Sequence, residues 1–202
     1  MTAERRPPDR ESLRRRRAVA LSGFGDDDGT ARPALADPKP GVRCAALGAL
    51  ARGGNLATAD LRTALEDPSP EVRARAAELA AGRGDVDLGD VLGDSDARVV
   101  EAAAWASGEH PAAGPGVVAR LGEIATSHPD ALCRETAVAA LGAIGDEAGL
   151  TAVLAATADR ATVRRRAVLA LAAFSGPDVE EALERAAGDR DWQVRQAAED
   201  LR

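Results

Sequence analysis

The feature that most constrains this chain is a recurrence. An Asp is followed five residues on by a Val, with an Arg directly after it. The pattern stands at Asp37, Val42 and Arg43, at Asp67, Val72 and Arg73, and at Asp189, Val194 and Arg195. A copy one residue shorter reads Asp159, Val163 and Arg164. Two degenerate copies keep the place: Asp94 and Val99 with Val100 in the Arg position, and Cys133 and Arg134 with His128 in the Asp position. The Val-equivalent positions 42, 72, 99, 133, 163 and 194 are separated by 30, 27, 34, 30 and 31 residues. A period of that length marks a solenoid, in which one supersecondary unit stacks on copies of itself.

The register continues beyond each Val. Four residues on stands Ala46, Ala76, Ala103, Ala137, Ala167 or Ala198, and seven or eight on stands Leu50, Leu79, Leu141 or Leu171. That spacing makes one apolar stripe along a helix, with a small residue at its centre where another helix can come close. Gly53-Gly54, Gly82, Gly145-Asp146 and Gly176-Pro177 then stop the helices. Between them a less regular set of helices is predicted over 29–36, 57–66, 86–92, 114–127, 147–158 and 177–188, each closed by a turn containing Asp or Pro. A further helix over 9–23 carries Leu13, Ala20, Leu21 and Phe24 on one side. Apolar residues make up 45% of the chain but aromatics only 2%, so the core is Ala-rich and its helices lie close together. The expected fold is all-α, an α-α superhelix of about six helix pairs behind an N-terminal capping helix. Residues 1–27 read as arm and cap, and 28–202 as one continuous solenoid domain.

A carboxylate in the inter-helix turn can accept hydrogen bonds from the N–H groups that open the second helix, at its positive end. The Arg six residues on can form a charge-assisted pair with the Asp of its own or of the neighbouring repeat. A catalytic pair has no reason to appear in every repeat, whereas a stacking device does, so Asp67 and Arg73 read as structural. The third repeat is the exception. Val100 holds the Arg place there and the first helix, around V-D-L-G-D-V-L, is short. The ladder is expected to break at that point, as a simple defect or as a change of curvature.

The stretches D-P-K-P-G-V-R, D-P-S-P-E-V-R and D-R-D-W-Q-V-R, with A-L-G-A-L and A-L-G-A-I-G-D after two copies, resemble HEAT repeats, in particular the short bacterial HEAT-like units also found in phycobilin lyases. The resemblance covers about residues 28–202. It implies an armadillo-like solenoid whose second helices line a concave binding face, the usual surface by which such proteins hold partners. Counting from each Val, that face is expected to present Arg75, Glu78, Glu101, Trp105, Glu135, Arg165 and Arg166 as partner-binding residues. Trp105 is either an interface anchor, a role in which Trp is enriched, or a filler over the short first helix of its repeat. Trp192 is expected to pack into the turn near the C-terminal end.

The chain carries a formal net charge of −7. The run Arg14–Arg17 belongs to a basic segment, so the remainder is more acidic still and repels phosphate. This run reads as a polar capping face, an intermolecular electrostatic contact or a nucleic-acid arm. Asp26-Asp27-Asp28 is a linker or helix start without the spacing of a calcium loop. No phosphate-binding glycine loop, nucleophile elbow or zinc-protease motif is present, and His110 and His128 stand in separate loops. Cys44 and Cys133, each inside a helical run, read as reduced small residues. The expectation is therefore a cytoplasmic, monomeric scaffold without catalytic residues, cofactor or metal, binding a protein partner away from membranes. A nucleic-acid binder with the architecture of HEAT-like DNA glycosylases is the alternative. A chaperone for a tetrapyrrole-bearing client ranks last, because the chain has no Tyr and few rings to build a pigment pocket.

Overall fold

The computed structural model describes residues 10–24, 29–110 and 113–202. The expected arm boundary at 27 and the acidic run 26–28 lie outside these residues. The described residues are helical, with no strand. They fall into two compact units, Met1–Leu79 and Ala80–Arg202.

The first unit contains α1 (Arg10–Ser22), α2 (Ala31–Ala34), α3 (Pro40–Arg52), α4 (Thr58–Leu65) and α5 (Pro70–Leu79). Helix α3 packs against α1, α2 and α5, and α4 against α5. Val19, Val42 and Ala46 form a buried cluster closed by Ala34, Leu35 and Ala45. The side of α1 that carries Leu13, Leu21 and Phe24 does not pack inward. Ser12, Val19 and Gly23 are buried instead, and Phe24 is 78% exposed. Gly23 fixes this rotation: a Cβ there would stand 2.6 Å from the Ala49 Cα, so only a glycine lets the end of α1 lie this close to α3.

The second unit contains α6 (Ala97–Gly108), α7 (Pro115–Ser127), α8 (Ala131–Ile144), α9 (Leu150–Ala156), α10 (Ala161–Ala170), α11 (Pro177–Ala187) and α12 (Trp192–Glu199). Helices α6, α8, α10 and α12 are successive second helices of the repeat, each packed on the next. The stripe read from the sequence is the core of both units. The six Val-equivalent side chains are buried, and all six Ala four residues later are 0% exposed. Asp96, Asp130 and Asp191 cap α6, α8 and α12 by accepting the N–H of Arg98, Leu132 and Gln193. The predicted stops hold, since Gly54, Gly82, Gly145 and Gly176 all have positive φ, a conformation that excludes most other residues.

One predicted helix does not form. Residues 86–92 run as an irregular turn ending in a single 3-10 turn, Val91–Gly93. The Asp87 carboxylate accepts the Gly89 N–H at 2.9 Å, a local bond that competes with helix formation. Val86, Leu88 and Leu92 remain buried, so the segment still supplies its share of the core.

Candidate functional site

The recurring Asp and Arg form rungs between neighbouring repeats. Arg43 donates from Nε and Nη2 to the two carboxylate oxygens of Asp67, at 2.8 and 2.7 Å. Arg134 holds Asp159 in the same bidentate way at 2.6 and 2.9 Å, and Arg164 holds Asp189 at 2.8 Å through both nitrogens. The third guanidinium nitrogen, Nη1, turns back to the carbonyl of the Arg's own turn: Asp37 for Arg43, Asp67 for Arg73, His128 for Arg134, Asp159 for Arg164 and Asp189 for Arg195, all at 2.8 Å. One Arg therefore ties its own turn to the next. The carboxylate also accepts a backbone N–H at the mouth of its helix: Lys39 on Asp37, Ser69 on Asp67, Arg160 on Asp159 and Asp191 on Asp189. In the first unit α1 supplies an opening rung, Arg15 to Asp37 at 3.0 Å.

These bonds set the ionisation of the rungs. The guanidinium beside Asp159, and likewise beside Asp189, holds the carboxyl below the usual Asp range against the opposing effect of burial. At Asp67 burial pushes upward most strongly, yet the Arg43 guanidinium and the Ser69 N–H together still bring it down. At Asp37 the Lys39 N–H is the main cause of lowering. Arg43, Arg134 and Arg164 are correspondingly held more firmly protonated. With donors and acceptors engaged in this way, the repeated charges serve as structural ties.

The expected break is present in the second unit. Val100 is buried, and opposite it His128 takes over half of the Asp role: its Nδ1 accepts the Asp130 N–H at 3.1 Å. Losing both partners of a rung together leaves no charge stranded. A cavity of about 230 Å³ lined by Asp94, Val100, Arg120, Glu123 and His128 lies at this place.

What remains outward is a face of second helices in the Ala80–Arg202 unit. Trp105, Ala139 and Leu169 occupy the same register position, six residues after Val99, Cys133 and Val163, on the packed series α6, α8 and α10. Trp105 is 46% exposed, whereas Ala139 and Leu169 are half-buried, and Leu169 also packs against the buried cluster of Val168, Val194 and Ala197. Beside Ala139 and Leu169 runs an open groove of about 400 Å³, floored by Gly142, Ala143, Ala170 and Ala173. Arg166 lies at its side and pairs with Glu135 across α8 and α10 at 3.4 Å. The structure thus brings together Glu135 and Arg166, and puts Glu101 and Trp105 on α6 and exposed Arg165 on α10. Arg75 and Glu78 belong to α5 of the other unit and pair with each other at 2.7 Å. Ala139, Ala143 and Ala173 were missed in the sequence, because small apolar side chains also fill the buried stripe and give no sign of exposure. A signal was there for Ala139, which repeats the Trp105 register six residues after Cys133.

Trp192 does not fill a turn, being 65% exposed. Cys44 and Cys133 are free thiols, and burial pushes each up to about 11, out of the reactive range at neutral pH. Among the described residues no three His, Cys, Asp or Glu side chains are grouped to hold a metal, and no helix is long and apolar enough to cross a membrane.

The model of the family described as HEAT repeats matches residues 30–94 and 58–142. No curated protein matches the chain. Among solved structures, the YibA protein of E. coli superposes with a TM-score of 0.61 at 19% identity, covering 97% of this chain and 75% of that one. Human deoxyhypusine hydroxylase, solved in complex with glycerol, gives a TM-score of 0.50 at 23% identity, with 96% and 79% covered. A designed armadillo repeat protein in complex with the peptide (KR)4 gives 0.51 at 17% identity, with 96% and 93% covered. At these identities the likeness is one of fold.

Proposed function

The chain belongs to the HEAT-repeat family, and on that premise we propose that it is a non-catalytic interaction module that binds a protein partner on the second-helix face of the Ala80–Arg202 unit. The observation that carries this reading is the row Trp105, Ala139, Leu169 beside the small-residue groove between α8 and α10. A shallow apolar groove on α8 and α10, with an exposed ring at the same register on the packed helix α6, is what a partner's side chains can bury, and the Glu135–Arg166 pair supplies a polar rim. The rungs support a non-catalytic role, since the charges that recur most regularly are already committed to holding repeats together. The designed armadillo repeat protein, which has a similar fold, is in complex with the peptide (KR)4, which supports a peptide segment as the occupant.

The test is a pull-down from native lysate, with and without nuclease, using the wild type beside Trp105→Ala, Leu169→Glu and the control Trp192→Ala. The partner recovered is then titrated against each purified bait. Trp105→Ala is expected to weaken binding by about 2 kcal/mol, roughly 30-fold in Kd, and Leu169→Glu to abolish it, while Trp192→Ala leaves it unchanged. Equal binding by all four baits would remove the site from this face. Capture that vanishes with nuclease would replace the reading with nucleic-acid binding.

A further inference from the structure

We propose that the outward face of α1 in one molecule docks, head to tail, on the outward face of α12 in a second copy of this chain. Two surfaces that neither the rungs nor the second-helix row use carry the inference. On α1, Arg10, Leu13, Arg14, Arg17 and Leu21 are all exposed and fall on one helical stripe, continued by Phe24 just beyond the helix. Phe24 is held in place, because the Arg52 guanidinium lies 5.0 Å above its ring. On α12, Trp192, Gln196, Glu199 and Asp200 are exposed along one stripe. These two places hold four of the six large hydrophobic side chains that the described residues expose: Leu13, Leu21, Phe24 and Trp192.

Their charges are opposite. Residues 10–24 contain five Arg against the single acid Glu11, a balance of +4. Residues 177–202, which carry α11 and α12, contain eight acidic residues against four Arg, a balance of −4. The stacking register gives a second sign that α12 presents an unusual face. Five residues after each Val stand Leu47, Ala77, Ala104, Val138 and Val168, all 0% exposed, whereas the sixth copy has exposed Glu199. An apolar ring flanked by carboxylates on one copy fits apolar side chains interleaved with Arg on another. Arg and aromatic residues are also the types enriched in protein interfaces. Because the two surfaces differ, the contact is heterologous, and opposite charge makes it faster to form and sensitive to salt. This departs from the monomer expected from the sequence.

The test is sedimentation velocity on the full chain from about 5 to about 200 μM, in about 50 and about 500 mM salt, which spans weak to strong screening. The variants are Arg14→Glu with Arg17→Glu, and Glu199→Arg with Asp200→Arg, all at exposed positions. The wild type is expected to gain mass with concentration at low salt and to lose that gain at high salt. Each variant alone carries like charge on the two exposed stripes and stays monomeric, while an equimolar mixture of the two associates again. A wild type that remains monomeric throughout overturns the proposal. So does a variant that associates as the wild type does, or a mixture that stays monomeric.

Discussion

At each complete rung, one carboxylate accepts from two guanidinium nitrogens and from one backbone N–H, as Asp159 does from Arg134 and Arg160. Such a carboxylate loses its proton more readily folded than unfolded. Its folded pKa is depressed, so its contribution is complete above the unfolded value and disappears as pH falls through the folded value. Stability is therefore expected to stay level from neutrality to about pH 5 and to decline below about pH 4 as Asp37, Asp67, Asp159 and Asp189 take up protons. Urea titrations at stepped pH check this, and stability that rises on acidification would contradict it. The sequence already showed that Asp and Arg recur. It could not show how the Arg divides itself, because its own turn and the next lie equally within reach. Both are used, the carbonyl of one and the carboxylate of the other. The rotation of α1 was also hidden, because it depends on how closely Gly23 lies against Ala49 rather than on which side of the helix is more apolar.

Helices here approach through residues without side chains. A Cβ on Gly142 of α8 would stand 2.7 Å from the Ala170 Cβ and 2.8 Å from its Cα, and one on Gly108 of α6 would stand 2.9 Å from the Ala140 Cα. Replacing a helical Gly by Ala ordinarily stabilises by up to about 1 kcal/mol. At Gly142 the neighbour is backbone and cannot swing aside, and overpacking of about 1–3 kcal/mol outweighs that gain. Gly142→Ala is thus expected to lower stability, while Gly116→Ala on α7, with nothing within 4 Å, raises it slightly. Thermal unfolding of the two variants separates the cases by sign. Second helices were legible because buried Val and Ala recur in register and Gly closes them. Residues 86–92 were not, since Asp87, Gly89 and Asp90 favour local turns while the apolar residues between them imitate a short helix.

For the whole chain, the charged rungs that tie the repeats and the surfaces proposed for binding use different charged residues, although Gly142, Leu169 and Ala170 serve both the helix packing and the groove. The same rung occurs in both compact units, and it fails in the second unit only where Val100 and His128 have replaced both of its partners. The second-helix row and the charged terminal faces take no part in it. Periodicity therefore revealed the repeat and its second helices, but not the irregular segment 86–92 or the rotation of α1, while the candidate surfaces rest on exposure, which a sequence states only weakly. The central claim is that the recurring Asp and Arg are structural ties between repeats. The most direct test is a double-mutant cycle on Arg134 and Asp159 by denaturant unfolding, with Arg134→Met, Asp159→Asn and the pair. Each single change is expected to cost about 2 kcal/mol, and the pair to cost less than their sum by about 1–3 kcal/mol. Strictly additive effects, or single losses below about 0.5 kcal/mol, would show that these residues do not hold the repeats together.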